Sequence, residues 1–204
     1  EIFLMKNNKI STDCFSSHLK DYLNRLNSSF TDVLSKKIEN LSDDLVKVWK
    51  NENQVFICGN GGSAANAIHI ANDLHYGLGV NANINNHKGI KIESLPANAA
   101  VITCLANDTG YENIFSHQLR VKASKDDILI VLSGSGNSPN IVRALEEGDK
   151  IGLKSYAILG FDGGKCKKLA SNSIHFEVDD MLICEDIQMI VFNMCFEWIV
   201  KKYN

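Results

Sequence analysis

Apolar and polar positions divide the chain into an N-terminal helical stretch and a longer region where short apolar runs alternate with helical segments. Over residues 11–51 the apolar positions recur at helical spacing. They run Phe15, Leu19, Tyr22, Leu23 and Leu26, then Phe30, Val33, Leu34, Ile38, Leu41, Leu45 and Trp49. The cluster Asn27-Ser28-Ser29 predicts a break into two helices, with Ser29 or Thr31 capping the second. Apolar residues on more than one face predict packing against something beyond the chain's own core, a partner subunit being the natural candidate.

Beyond residue 52, strands are expected at 54–58, 90–95, 127–133, 155–160 and 173–178. Helices are expected at 63–76, 98–106, 111–121, 139–150 and 182–202, with a short one at KCKKLA. Strands separated by helices imply right-handed crossovers and a parallel sheet covered on both faces. The expected fold class is therefore α/β, a flavodoxin-like doubly wound sheet of five parallel strands with an N-terminal helical region. Ligands of such sheets bind beyond the carboxyl ends of the strands.

Composition narrows the function classes. A chain of 204 residues suits one large domain, or one domain with an appendage, and needs no disulfide or metal staple. With 21 basic and 24 acidic residues the net charge is -3, so a dedicated nucleic-acid binder is not expected. No apolar run approaches the roughly 18 residues of a membrane span. The opening EIFLM is too short for a secretory signal and lacks a basic leader. The six cysteines form no CxxC pair, and several sit in apolar runs (VFICGN, VITCLAN, NMCFEW). They are expected to be reduced core thiols, which points to the cytoplasm.

Two loops carry the candidate chemistry. Gly59-Asn60-Gly61-Gly62-Ser63 and Ser133-Gly134-Ser135-Gly136-Asn137-Ser138 each join the carboxyl end of a strand to a helix. Glycines let the backbone approach a ligand closely, and a helix N-terminus offers free N–H groups to an anion. Serine hydroxyls add donors without a counter-charge. Neither loop has the spacing of a P-loop or of a dinucleotide fingerprint, so nucleotide hydrolysis and NAD chemistry are not expected. The bland alternative is a pair of tight turns with capping serines.

The pieces CGNGGSAANAIHIANDL, ANDTGYENIFSHQL, SGSGNSPNIVRALE and GFDGGK, in this order, resemble a sugar isomerase (SIS) domain, and within that group the bacterial phosphoheptose isomerases. The resemblance implies conversion of sedoheptulose 7-phosphate to D-glycero-D-manno-heptopyranose 7-phosphate, for surface-polysaccharide heptose, by a homotetramer with shared active sites. Residues 1–52 become helices packing on the core and on partner subunits, and 53–204 the phosphosugar-binding domain. Asn60, Gly62, Ser63, Ser133, Ser135 and Ser138 are implied to hold the phosphate and nearby hydroxyls. Asn107 and Asp108 are implied to line the sugar. Asp162, after the fourth strand, is a further polar candidate.

Isomerisation needs a base near the C1–C2 edge and an acid for the oxygen. In the resembled enzymes the base is a glutamate on the helix after GNGGS, and its partner is a histidine on the last helix. Many members hold zinc through a histidine, that glutamate, a glutamine and the second histidine. Here His69 stands at the first histidine, and Asp73, one methylene shorter, at the glutamate.

On the last helix two registers are open. One sets Gln188 at the glutamine and Phe196 at the histidine; the preferred one sets Glu185 and Asn193 there. Either way the second imidazole is missing. The implied catalytic residues are thus Asp73, Asn193 and Glu185, and the implied zinc ligands His69, Asp73 and Glu185. A non-catalytic relative, the tetrameric scaffold that associates with the replication initiator, shares GNG-x-SAANA-x-H and has asparagine at that helix position, so a silent binding protein is the alternative. His75, His87 and His117 are assigned no chemistry, and Lys165, Lys167 and Lys168 are read as a solvated run.

Overall fold

The computed structural model describes residues 14–81 and 88–203. The EIFLM opening, residues 11–13 of the first helical pattern and His87 lie outside the described residues. Helix α1 (Phe15–Ser28) and helix α2 (Asp32–Lys50) flank the expected break. Ser29 turns its hydroxyl back to the Arg25 carbonyl (2.8 Å), while Thr31 takes the N-cap position of α2 without a side-chain cap bond.

The order thereafter is β1 (Gln54–Gly59), α3 (Gly62–Asn72), a π-helical turn (Asp73–Gly77), α4 (Leu78–Asn81), β2 (Lys91–Ser94), α5 (Ala99–Thr109) and α6 (Ser116–Lys122). It continues with β3 (Ile128–Ser133), α7 (Pro139–Ile151), β4 (Lys154–Leu159), α8 (Cys166–Leu169), β5 (Asn172–His175) and α9 (Met181–Tyr203).

The five strands form one sheet in the order β2-β1-β3-β4-β5, and every neighbouring pair is parallel. This is the flavodoxin-like order, with its reversal between β1 and β3. Val55, Ile57, Ile130, Leu132 and Ile158 point to a core shared with α2, α3 and α9. Phe56, Cys58, Leu129, Val131 and Leu159 point to the opposite core, against Phe115, Leu119, Ile141 and Leu145. Burial on both faces is why these strands read as unbroken apolar runs. Trp49 and Leu45 belong to the first core, so α2 is built into the sheet domain.

Two expectations shift. The helix expected at 63–76 changes pitch at Asp73, where the π-helical turn begins. Within that turn the Leu74 carbonyl accepts the N–H of Ile90 as the chain re-enters the sheet (3.1 Å). Gly77 packs directly beneath the Phe196 ring, where a Cβ would come within 2.8 Å.

The cysteines are all free thiols, but only Cys58, Cys166, Cys184 and Cys195 are buried. Cys104 is exposed because α5, though apolar, buries none of its residues in a single chain. Helix α1 likewise buries none, leaving Phe15, Leu19 and Leu23 exposed. It is tied to α9 by a bond from the Tyr22 hydroxyl to Asp186 (2.7 Å), and to the residue just before α9 by an Arg25–Asp180 ion pair. Among the described residues no helix is long and apolar enough to cross a membrane.

Candidate active site

Strands β1 and β3 are adjacent, with Gly59 opposite Leu132, so the loops that follow them open on the same edge of the sheet. Together they line a cavity of about 230 Å³ through Asn60, Gly61, Gly62, Ser63, Ser133, Gly134, Ser135 and Ser138, closed by Met181 and Glu185 of α9. The N-termini of α3 and α7 both begin at these loops, so free N–H groups and two positive dipole ends converge there. Ser63 is buried and its Oγ accepts from Gln188 Nε2 (2.9 Å), which leaves its own O–H to donate to a ligand. Ser133 Oγ accepts the Gly136 N–H (3.1 Å) in the same way.

The GFDGGK loop braces the second loop from behind. Gly160 N–H donates to the Gly134 carbonyl (2.9 Å), Cys166 N–H to the Gly136 carbonyl (3.0 Å) and Lys165 N–H to Asn137 Oδ1 (3.1 Å). Asp162 serves this brace: its Oδ1 accepts the Gly164 N–H (3.0 Å), and it lies outside the cavity lining. His175 holds the same loop through Nε2 and the Phe161 carbonyl (2.9 Å). Lys165, Lys167 and Lys168 are exposed, as a solvated run would be.

A second cavity, of about 390 Å³, lies where the π-helical turn meets α9. It is lined by Asp73, Tyr76, Gly77, Asn193 and Phe196. Asp73 Oδ2 sits 3.2 Å from His69 Nε2, one helical turn back. Asp73 and Asn193 thus line one cavity, and Phe196 of the other register lines the same wall. Glu185 is elsewhere, its carboxylate lying over Gly62 at the start of α3. Burial, with the neighbouring Asp186 adding to it, pushes the Glu185 carboxyl above its ordinary value. Gln188 is buried and spent on structure, donating to Ser63 and accepting from Asn66 Nδ2 (3.0 Å).

These positions bear on zinc. Among the described residues no three His, Cys, Asp or Glu side chains come together as a metal site. Of the implied donors, His69 and Asp73 are paired, while Glu185 lies about 10 Å back along α3 beside Gly62. The set does not fit a zinc ion. Asn107 and Asp108 end α5, where the Asn107 amide donates to Asp108 Oδ1 (2.7 Å), and neither lines the two cavities. His75 is exposed and His117 half-buried.

Sequence reasoning did not single out Asn140, Tyr111, Tyr76 or Met181. Asn140 stands in SGNSPN, but only strand order reveals that it meets Asn60 across the sheet edge.

Fold and cradle together define a SIS-domain protein, and a model of the SIS domain family matches residues 18–160. Within that class the chain belongs to the phosphoheptose isomerase family. It is 32% identical over 181 residues to the phosphoheptose isomerase of Helicobacter pylori strain P12, covering 84% of this chain and 91% of that protein. It is 30% identical over 187 residues to the probable phosphoheptose isomerase of Thermoplasma volcanium, covering 91% and 92%. The solved phosphoheptose isomerase of Francisella tularensis shares the fold, with a TM-score of 0.83 at 24% identity over 94% of this chain and 98% of that one.

Proposed function

We infer that this protein is a sugar-phosphate isomerase that converts sedoheptulose 7-phosphate to D-glycero-D-manno-heptopyranose 7-phosphate, a precursor of heptose for surface polysaccharide. The observation that carries the reading is the pairing of a serine-rich anion cradle with a carboxylate cavity on one helix. About 15 Å of helix axis separates Ser63 from Asp73. Side chains close part of that gap, so a ligand anchored by its phosphate must be long to bring C1 to Asp73. A heptose phosphate meets that requirement better than a triose phosphate.

The Asp73 carboxylate takes a proton from C1 of the ketose while O2 gains one, which gives the C1–C2 enediol; the proton then returns to C2 as O1 loses its hydrogen and C1 becomes the aldehyde. His69 orients Asp73 from 3.2 Å, and the Asn193 amide offers a hydrogen-bond donor to a sugar oxygen. The Asp73 carboxylate, which lines this cavity with His69 3.2 Å behind it, supports an enzyme over a silent scaffold.

The working form is a homotetramer, a reading supported by the exposed Phe15, Leu19 and Leu23 of α1 and by the unburied apolar helix α5. Six unpaired thiols support a cytoplasmic setting. Turnover of sedoheptulose 7-phosphate, followed by analysis of the product sugar, tests the activity. Asp73→Asn should lower kcat by about 10²–10⁴-fold while the phosphosugar still binds. Full activity in that variant would remove Asp73 from the mechanism.

A further inference from the structure

The two cradle loops are joined by a pair of side-chain amides. Asn60 Nδ2 donates to Asn140 Oδ1 (2.9 Å), and Asn140 Nδ2 donates back to Asn60 Oδ1 (2.7 Å). Asn140 is 1% exposed and sits in the first turn of α7, immediately after Pro139. Two facing amides could in principle both be turned over with the same geometry. Here the symmetry is broken by the backbone N–H of Ile141, which can only donate and is shared between the Ser138 carbonyl (3.0 Å) and Asn140 Oδ1 (3.0 Å). That contact fixes which end of Asn140 is oxygen, and Asn140 then fixes Asn60.

The consequence is a definite hydrogen-bonding character at the cradle wall. Asn60 Oδ1 accepts from Asn140 and also from the Tyr111 hydroxyl (3.2 Å), so both of its lone pairs are engaged. One N–H of Asn60 is engaged by Asn140. What remains is a single N–H, on a residue that lines the cavity. We propose that Asn140 is a positioning residue that locks the Asn60 amide so that it presents a donor, never an acceptor, to the oxygen-rich group held between the two loops. The proposal rests on the phosphosugar reading only for the identity of that group; the lock itself concerns any tetrahedral oxyanion.

The test uses the full chain with inorganic phosphate as the probe, and sedoheptulose 7-phosphate where turnover is measurable. Asn140→Leu keeps the shape and removes both bonds to Asn60. The expected result is a rise of about tenfold in the Kd for phosphate and in KM, with kcat within about threefold, the loss of one directed hydrogen bond. The decisive arm is a double-mutant cycle. If Asn140 acts through Asn60, then Asn140→Leu costs nothing further in an Asn60→Ala background. Equal additional losses in both backgrounds, or an unchanged phosphate Kd in a folded Asn140→Leu protein, would overturn the proposal, because a purely structural residue lowers Tm without touching Kd.

Should the leucine variant not fold, Asn140→Asp replaces it, keeping an acceptor for Ile141 but setting a carboxylate oxygen against Asn60 Oδ1. Weakened phosphate binding is again expected from it, cancelled in the Asn60→Ala background. A wild-type protein that binds phosphate but leaves the heptulose phosphate unchanged would sink the isomerase reading and still permit the cycle.

Discussion

The Glu185 carboxylate rests on the Cα of Gly62, so close that a Cβ there would lie 2.3 Å from its Oε1. A resident anion therefore sits at the start of α3, in the cavity that the cradle serines line. Glycine at residue 62 is what makes room for it. Its position complements the dipole of α3 and opposes a second anion arriving from solution.

Glu185→Gln should therefore tighten phosphate binding, by about tenfold at pH 8, a change equivalent to about 1.4 kcal/mol. Burial, then Asp186, raises the carboxyl above its ordinary 4.5, so the proton is retained to higher pH than in a free side chain. As pH falls toward that raised value, Glu185 becomes neutral and the advantage of the glutamine variant shrinks. Calorimetric titration of phosphate at pH 5 and pH 8 for both proteins measures this. A variant that binds phosphate more weakly at pH 8 would mean that Glu185 assists the ligand.

The scattered donor set makes a second prediction. His69 and Asp73 are together but Glu185 is not, and Gln188 is committed to Ser63 and Asn66. Dialysis against a chelator should leave turnover within about twofold of the untreated protein, at a residual metal content well below one ion per chain by elemental analysis. Loss of activity that zinc restores would show that the metal finds donors outside this set.

Gly136 holds the second cradle loop at φ +63°, and a Cβ there would come within 2.1 Å of the Gly163 carbonyl oxygen. Gly136→Ala therefore costs at least about 1–3 kcal/mol in backbone strain, before any displacement of the GFDGGK brace. The expected outcome is a lower Tm together with weaker phosphate binding, since Ser135 immediately precedes Gly136 and Ser133 Oγ accepts the Gly136 N–H. A stable variant with normal affinity would show that the brace is dispensable.

Asp44 anchors α2 to β4. It is buried and receives Lys154, the Tyr156 hydroxyl and Lys47, the last at 2.9 Å. Burial alone would raise its carboxyl, but these three donors outweigh burial and hold it below the ordinary 3.8. A depressed carboxyl contributes stability that is fully present above about pH 4 and lost as pH falls through the folded-state value. Asp44→Asn should cost about 1–3 kcal/mol near neutral pH, and the gap in Tm from wild type should close in stronger acid. A constant gap down to pH 2 would mean that the charge plays no part.

Much of this molecule is written in local pattern. Runs such as VFIC and ILIVLS are apolar at every position because both faces of a parallel strand are buried, so their place and type follow from order alone. The two glycine- and serine-rich loops also announce themselves, since backbone approach to an anion requires those residue types wherever the strands end up. His69 and Asp73 share a helix, and four-residue spacing places them on one face without further information.

What the linear order could not decide is which residues of distant segments meet. Four residues separate Glu185 from the start of α9 and eight more lead to Asn193, yet one reaches the cradle and the other the Asp73 cavity. That division depends on the rotation of α9 against α3, which is set by packing of Ile183, Ile187 and Val191 rather than by any motif. The same holds for the π-helical turn, where the returning Ile90 bonds to Leu74, and for the Asn60–Asn140 pair, made by the adjacency of β1 and β3. Side-chain chemistry is a local property; partnership across a sheet edge belongs to the tertiary structure.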